Sequence, residues 1–405
     1  MHKLGVNSLA FSLLGVLWLL PSQTQAVAVA DMVQLAGVAV GDQVAHQIDK
    51  GDFNGDGYDD LVIGTQNVTT GSTQNGAIYI VYGGADALTS GSLNTTAVSY
   101  IGEASGDWFG FAVASAGDVN GDGYDDILAS ALFNDDGVAD TGAAYLVYGQ
   151  ADTLSGGSIS SAVEFTSTTA GQGLGYDVGG AGDLNNDGYD DFLVGDYSHD
   201  GAGVNAGAVY VVYGRAAVYT STTISAVGTT FTGVSAGDNL GATTRQAGDL
   251  NNDGFADAVF GAYGVDSPTA DTGAVYILYG SSTAATGTQS VSTLVRLTGE
   301  GTGGQVGFAA AGAGDVNGDG YDDLVVADSF YDDGINQNAG AVYVVYGQAA
   351  QLSSGSLSSY ARITGPGPFE YLGYYVGRAG DLNADGYADL IMSAPYTNSS
   401  TGAVY

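Results

Sequence analysis

Asp52-Phe53-Asn54-Gly55-Asp56-Gly57-Tyr58-Asp59-Asp60 sets acids and amides at alternate positions around two glycines. Nearly the same nine residues open again at Asp118, Asp183, Asp249, Asp315 and Asp381, at intervals of 66, 65, 66, 66 and 66 residues. Spacing this even over more than 300 residues marks one supersecondary unit copied along the chain. A single unit is too small to bury its own faces, so the copies must stack on one another.

Working outward from the second copy, the hydrophobic runs Phe111–Ser115, Ile127–Ser130, Ala143–Tyr148 and Ala162–Thr166 read as four strands separated by Gly, Asp, Asn and Ser clusters. None shows helical periodicity. Four short antiparallel strands per copy predict an all-β chain, a β-propeller of four-stranded antiparallel blades with six repeats visible. A β-helix needs much shorter coils, and separate sandwiches need more strands per unit.

Met32–Gly37 (MVQLAG) resembles the fourth strands of other copies, such as Ser99–Gly102 and Arg362–Gly365. The last copy reaches Tyr405 within its third strand, whereas Tyr343–Gly347 runs on to a Tyr-Gly ending. An N-terminal strand that completes the final blade would close a six-bladed ring and remove its open edges. The same ending leaves open a seventh blade or a further domain. Residues 1–26 read as a signal peptide and 27–405 as the repeat domain. His2 and Lys3 precede the apolar run Leu9–Leu20, and small residues at Ala26–Ala30 offer cleavage before Asp31. The run is well short of the roughly 20 residues that a spanning helix needs.

In the nine-residue segment, positions one, three, five and nine carry side-chain oxygens. The glycine at six permits a sharp turn, and position seven offers its backbone carbonyl. Calcium requires such an all-oxygen set. The candidate ligands are Asp52, Asn54, Asp56, Tyr58 and Asp60, then Asp118, Asn120, Asp122, Tyr124 and Asp126. The third and fourth sets are Asp183, Asn185, Asp187, Tyr189 and Asp191, and Asp249, Asn251, Asp253, Phe255 and Asp257. Asp315, Asn317, Asp319, Tyr321 and Asp323, with Asp381, Asn383, Asp385, Tyr387 and Asp389, complete six sites and predict about six Ca2+ ions. An EF-hand would place Glu at position twelve, where this chain has Ile63, Ala129, Val194, Phe260, Val326 and Met392, so the loop enters a buried strand directly. With affinity on the order of 10⁻⁴ M and free calcium near ~1 mM, each site adds about 1.4 kcal/mol, or roughly 8 kcal/mol for six. Cysteine is absent, so bound metal would take the place of disulfides in an exported protein.

The formal net charge is -37, from 44 acidic and 7 basic residues, which excludes nucleic acid and an anionic membrane surface as partners. Hydrophobic residues make up 45% of the chain, enough to exclude a solvated, disordered tail. Three histidines, no cysteine and no Ser-His-Asp spacing predict no catalytic site. In an up-and-down sheet the calcium loops lie opposite the second hairpin loops and the blade connections. Those carry Trp108, Tyr197, His199, Tyr263, Phe330, Tyr331 and Tyr396 with Asp135, Asp136, Asp332 and Asp333, side chains suited to a protein or carbohydrate ligand.

Phe109-Gly110, with Leu174-Gly175, Leu240-Gly241, Val306-Gly307 and Leu372-Gly373, followed by Gly261-Ala262-Tyr263 and Ser393-Ala394-Pro395, resembles the FG-GAP repeats of integrin α-subunit propellers. Gly142, Gly207, Gly273, Gly340 and Gly402, each before Ala, fit the family's third-strand start. The resemblance covers residues 32–405. It implies a secreted or cell-surface adhesion or ligand-binding module whose calcium loops and ligand contacts lie on opposite faces, usually with seven blades. The alternative it implies is the non-catalytic propeller of a larger secreted hydrolase, like a phospholipase D specific for glycosyl-phosphatidylinositol.

Overall fold

Six antiparallel sheets stand around a common axis in a computed structural model that describes residues 34–37, 44, 46–70, 73–86, 88–135, 139–397 and 402–405. Residues 1–31, where a signal peptide and its cleavage are expected, and Met32, Val33 and Asp136 lie outside the described residues. The inner strands Ile48–Gly51, Phe109–Gly117, Leu174–Gly182, Leu240–Gly248, Ala310–Gly314 and Val376–Gly380 pack side by side about the axis. The chain is thus an all-β, six-bladed β-propeller, as the repeat predicts.

Blade 2 shows the pattern. Phe109–Gly117, Asp126–Ala131, Ala143–Val147 and Val163–Thr166 pair antiparallel in sequence order. The two middle strands are buried at every residue because neighbouring blades cover both faces of the sheet. That is why they read as continuous apolar runs instead of alternating ones. Tyr145, Tyr276 and Tyr343, one per third strand, are among the largest fully buried side chains, and burial of each such ring contributes on the order of 2 kcal/mol.

The FG glycine has a steric reason. Gly110 has φ +80°, and a Cβ there would lie 2.3 Å from the Ala77 carbonyl of blade 1. The left-handed backbone is thus open to glycine, and its missing side chain lets consecutive blades approach to backbone contact. The parallel bridges Gly76–Phe109, Gly142–Leu174, Gly207–Leu240, Gly273–Val306 and Gly340–Leu372 repeat that junction five times.

Two features differ from the sequence reading. A short helix at Leu93–Thr96 and 3₁₀ turns at Ile159–Ser161, Ile224–Ala226, Val291–Thr293 and Leu357–Ser359 precede the outer strands. At three to four residues they are too short to show a periodic face, and each buries a single apolar residue instead. Each also follows a two- or three-residue strand, and four of these, from Gly157–Ser158 in blade 2 to Gly355–Ser356 in blade 5, add in parallel to the outer strand of the preceding blade. Leu35–Ala36 takes the outer-strand place expected of it, but it pairs with Gly91–Ser92 of blade 1. Among the described residues it makes no ladder with Ala403–Val404, which pairs with Ser393–Ala394 of its own blade. The expected seam between the first and last strands is therefore not formed by these residues.

Candidate functional site: an acidic loop face and an aromatic face

Each acidic segment joins the inner strand of a blade to its second strand. In the first loop Asp52 accepts from the Asp56 and Gly57 N–H groups at 3.0 and 2.8 Å, Asn54 Oδ1 from Asp56 N–H at 3.0 Å, and Asp56 from Tyr58 N–H at 3.0 Å. Asp118, Asn120 and Asp122 repeat this, as do Asp183, Asn185 and Asp187. So do the corresponding residues of the loops that open at Asp249, Asp315 and Asp381. The turn residues Gly55 and Gly57 hold φ +72° and +85°, which folds the short acids back over the loop.

The ninth residue behaves differently. Asp60, Asp126, Asp191, Asp257 and Asp323 are fully buried, and each accepts two backbone N–H groups. Asp126 takes Val119 N–H at 3.1 Å and Gly149 N–H at 2.9 Å, which ties the loop to the Tyr-Gly end of the third strand. Burial pushes these carboxyls up, to about 6 for Asp60, about 8 for Asp126 and Asp191, and about 7 for Asp257. The paired N–H groups oppose that shift, and the acids at positions one and five add to it.

Position eight, unassigned by sequence, joins blades. Asp125, Asp190 and Asp322 each accept, at 2.9 Å, the N–H of a first-position aspartate in the preceding blade: Asp52, Asp118 and Asp249. Recurrence of Asp at position eight in four of six copies, as Asp59, Asp125, Asp190 and Asp322, was the available signal.

Among the described residues no three acidic, histidine or cysteine side chains converge tightly enough to grip an ion. The donor set nevertheless fits a hard cation: three carboxylates, an amide oxygen and a carbonyl, with oxygens that keep a second lone pair beside each N–H bond. Asp, Asn, Asp and Asp at positions one, three, five and nine, with the carbonyl of position seven, are the groups that would hold calcium.

The opposite face is aromatic. Trp108 packs edge-on against Phe133 at 4.7 Å between ring centres and Tyr263 against Phe308 at 6.2 Å, while Tyr197 lies tilted on Tyr176 at 4.3 Å. Tyr371 bridges Phe330 and Tyr396, at 5.3 Å from each. Sequence reading found the loop members but missed those on the inner strands. Phe111, Tyr176, Phe308 and Tyr374 all follow the FG glycine, and the first three surround the mouth of an axial cavity of about 100 Å³. Trp108, Asn239, Gln305 and Tyr371 hold left-handed backbone, φ 57°, 55°, 60° and 54°, one residue before the FG pair, whereas Gly173 at that place in blade 3 does not. A bulky residue in that conformation costs about 1–2 kcal/mol.

Below the aromatic mouth, Asp177 closes the axis. It receives Arg245 Nη1 at 2.5 Å, Gln47 Nε2 at 2.9 Å and Thr244 N–H at 2.8 Å, drawing blades 1, 3 and 4 together. His46, whose Nδ1 lies 2.6 Å from the Phe111 carbonyl, has its pKa lowered by burial. His199 lies 3.6 Å from Asp196 and edge-on to Tyr210, away from His46. Asp332 and Asp333 accept loop N–H groups from Asn338 and from Ile335 and Asn336, so they hold their own turn together. Tyr331 lies under the Arg362 guanidinium at 4.7 Å.

Residues 45–81, 109–147, 246–278, 307–345 and 374–405 match the FG-GAP repeat family. Integrin alpha-IIb of Mus musculus is 30% identical over 171 residues, covering 40% of this chain and 16% of that protein. Integrin alpha-5 of Xenopus laevis is 30% identical over 222 residues, 54% of this chain and 19% of that protein. Phosphatidylinositol-glycan-specific phospholipase D of Bos taurus is 33% identical over 202 residues, 47% of this chain and 23% of that protein. The chain therefore spans less than a quarter of the length of these relatives.

Proposed function

Starting from a chain built of FG-GAP repeats and similar to the integrin α propeller, we propose that it is an extracellular, non-catalytic ligand-binding module of the adhesion class. Calcium in the six acidic loops is structural in this reading, and a protein or carbohydrate ligand engages the aromatic face. The observation that carries it is the left-handed Trp108 and Tyr371. Backbone strain of this kind collects at functional positions; Asn239 and Gln305 hold the same conformation in blades 4 and 5, and among the described residues at this place Trp108 and Tyr371 are the two that put an aromatic ring there. Calcium supplies charge neutralisation where three carboxylates share one loop, and the aspartates at positions eight and nine carry that effect into the neighbouring blade and the third strand.

Among the described residues no helix is long and apolar enough to cross a membrane. The phospholipase D similarity supports a second reading, a propeller that positions substrate for a hydrolase domain. Glycan and extracellular-matrix protein arrays probed with the calcium-loaded chain test the first. Binding that Trp108→Asn and Tyr371→Asn abolish supports it. Binding unaffected by both variants, or confined to glycosyl-phosphatidylinositol lipids, refutes it.

A further inference from the structure

Asp328 ends the second strand of blade 5, on the aromatic side, where it is 1% exposed and neither carboxylate oxygen has a hydrogen bond. The Phe330 N–H approaches it without reaching bonding geometry. Ser329 Oγ, on the next residue, is equally buried and also unpaired. A carboxylate taken out of water is strongly disfavoured unless donors or a cation meet it.

Blade 3 meets the same demand from its own residues. Asp196 ends its second strand as Asp328 does in blade 5; its Oδ1 accepts Gly173 N–H at 3.1 Å and its Oδ2 lies 3.6 Å from His199 Nδ1. Blades 2, 4 and 6 avoid the charge with Ala131, Ala262 and Ala394. In blade 5 both partners are replaced. Gln305 stands where Gly173 does, holds left-handed backbone and gives its N–H to the Asp271 carbonyl at 3.1 Å. Tyr331 stands where His199 does, under an Arg362 guanidinium that donates to Glu300 at 2.7 Å. Tyr343 Oη is also given to Glu300, at 3.0 Å. Gly304 takes the place of Asp107, Gln172, Asp238 and Glu370 in other blades, and the carboxylate fills the room it leaves: a Cβ there would lie 2.5 Å from Asp328 Oδ2. After burial itself, Glu300 from the linker and Asp332 from the loop push the Asp328 carboxyl up, and Arg362 from the outer strand opposes them least.

We propose that Asp328, with Ser329 beside it, holds a hard metal cation, sodium or calcium, at a site separate from the six acidic loops. The ion takes the place that His199 holds beside Asp196. Carboxylate and hydroxyl oxygens select a hard ion over a soft one. Three acids, Asp328, Glu300 and Asp332, face one arginine here, so the surplus charge calls for a cation. One carboxylate and one hydroxyl make a sparse donor set, which puts affinity on the order of 10⁻³ M or weaker. Bound there, the ion would pin the linker that carries Glu300 and Gly304 to the loop that carries Phe330 and Tyr331. The inference rests neither on what the aromatic face binds nor on calcium in the acidic loops.

Urea unfolding of the full chain at fixed calcium, in sodium chloride against choline chloride of equal ionic strength, tests it, because choline is too large to reach a buried carboxylate. At pH 8, sodium at about ten times its Kd should lower the unfolded-to-folded ratio roughly ten-fold relative to choline. At pH 5 the effect should vanish, since a proton then occupies the same oxygens. Asp328→Asn should remove it at both pH values. The double variant Gly304→Asp with Asp328→Ala copies the Asp238 and Ala262 arrangement of blade 4, so it should fold and lose the effect too. Where calcium is the ion, sodium has no effect and equilibrium dialysis counts one calcium fewer in both variants than in the parent chain. A sodium effect that survives either variant overturns the proposal. So does the absence of any ion-specific effect together with an unchanged calcium count.

Discussion

The two faces of the propeller come from the same repeat and have opposite character. On the acidic face six loops keep the same oxygens at positions one, three and five, the same N–H partners for them and the glycine at position six. On the aromatic face no two blades are alike: Trp108 stands where Gly173, Asn239, Gln305 and Tyr371 stand elsewhere, and Phe111 where Ala242 does. Uniformity marks what every blade needs in order to stack. Variation marks positions that the scaffold leaves free, and these carry the strained and half-buried rings.

The hardest blow to the comparison is removal of metal. Chelation should lower stability by roughly 8 kcal/mol if all six loops bind, comparable to the ~5–15 kcal/mol stability of a whole domain. Calorimetry with calcium and then with chelator, alongside ion stoichiometry, reads it. An unchanged melting curve would reduce the acidic face to a set of turns.

The next test lies at the aromatic end of blade 5. Asp328 is buried and neither of its oxygens has a well-formed hydrogen bond. Burial first, and the Glu300 charge second, push its carboxyl up to about 7. The folded chain then holds a proton that the unfolded chain releases near pH 4. The stability this gives is complete below that pH and is lost as pH rises through 7, by about 4 kcal/mol at ~1.4 kcal/mol per pH unit. Asp328→Asn should flatten this part of the pH profile and stabilise the protein at pH 8, as read by urea unfolding at several pH values.

Between the faces, Arg245→Ala should cost roughly 2–3 kcal/mol, below the ~3–5 of a fully buried pair, because the arginine is 33% exposed and Asp177 keeps Gln47 and Thr244. Denaturant unfolding with a double-mutant cycle at Asp177 would measure the coupling. The smallest effect belongs to Trp108→Asn. Relief of the left-handed strain offsets lost packing on Phe133, so stability should stay within about 1 kcal/mol while ligand binding disappears. A collapse in stability would make Trp108 a packing residue.

The repeat, the four strands and the acidic loops were legible because each rests on local chemistry: alternating donors, turn glycines and apolar runs. Phe111–Ser115 lengthened only to Phe109–Gly117, and Ala143–Tyr148 became Ala143–Val147. The short parallel strands were not legible. Gly157–Ser158 has no strand-like composition and is extended only because Tyr100–Ile101 of another blade lies beside it. The recurrence of Asp125 at position eight was visible, but its partner was not, since it lies 73 residues away at Asp52.

By itself the sequence determined how many units there are, what each contains and where the acids and amides of each loop fall, because a period and a turn are properties of neighbours in the chain. Only the tertiary structure decided that position eight locks blade to blade, that position nine turns inward and that Asp177 gathers Gln47 and Arg245 at the axis. Those outcomes depend on which surfaces meet when the blades close around an axis. Residues some 65 to 130 positions apart become neighbours there, and no local pattern records it.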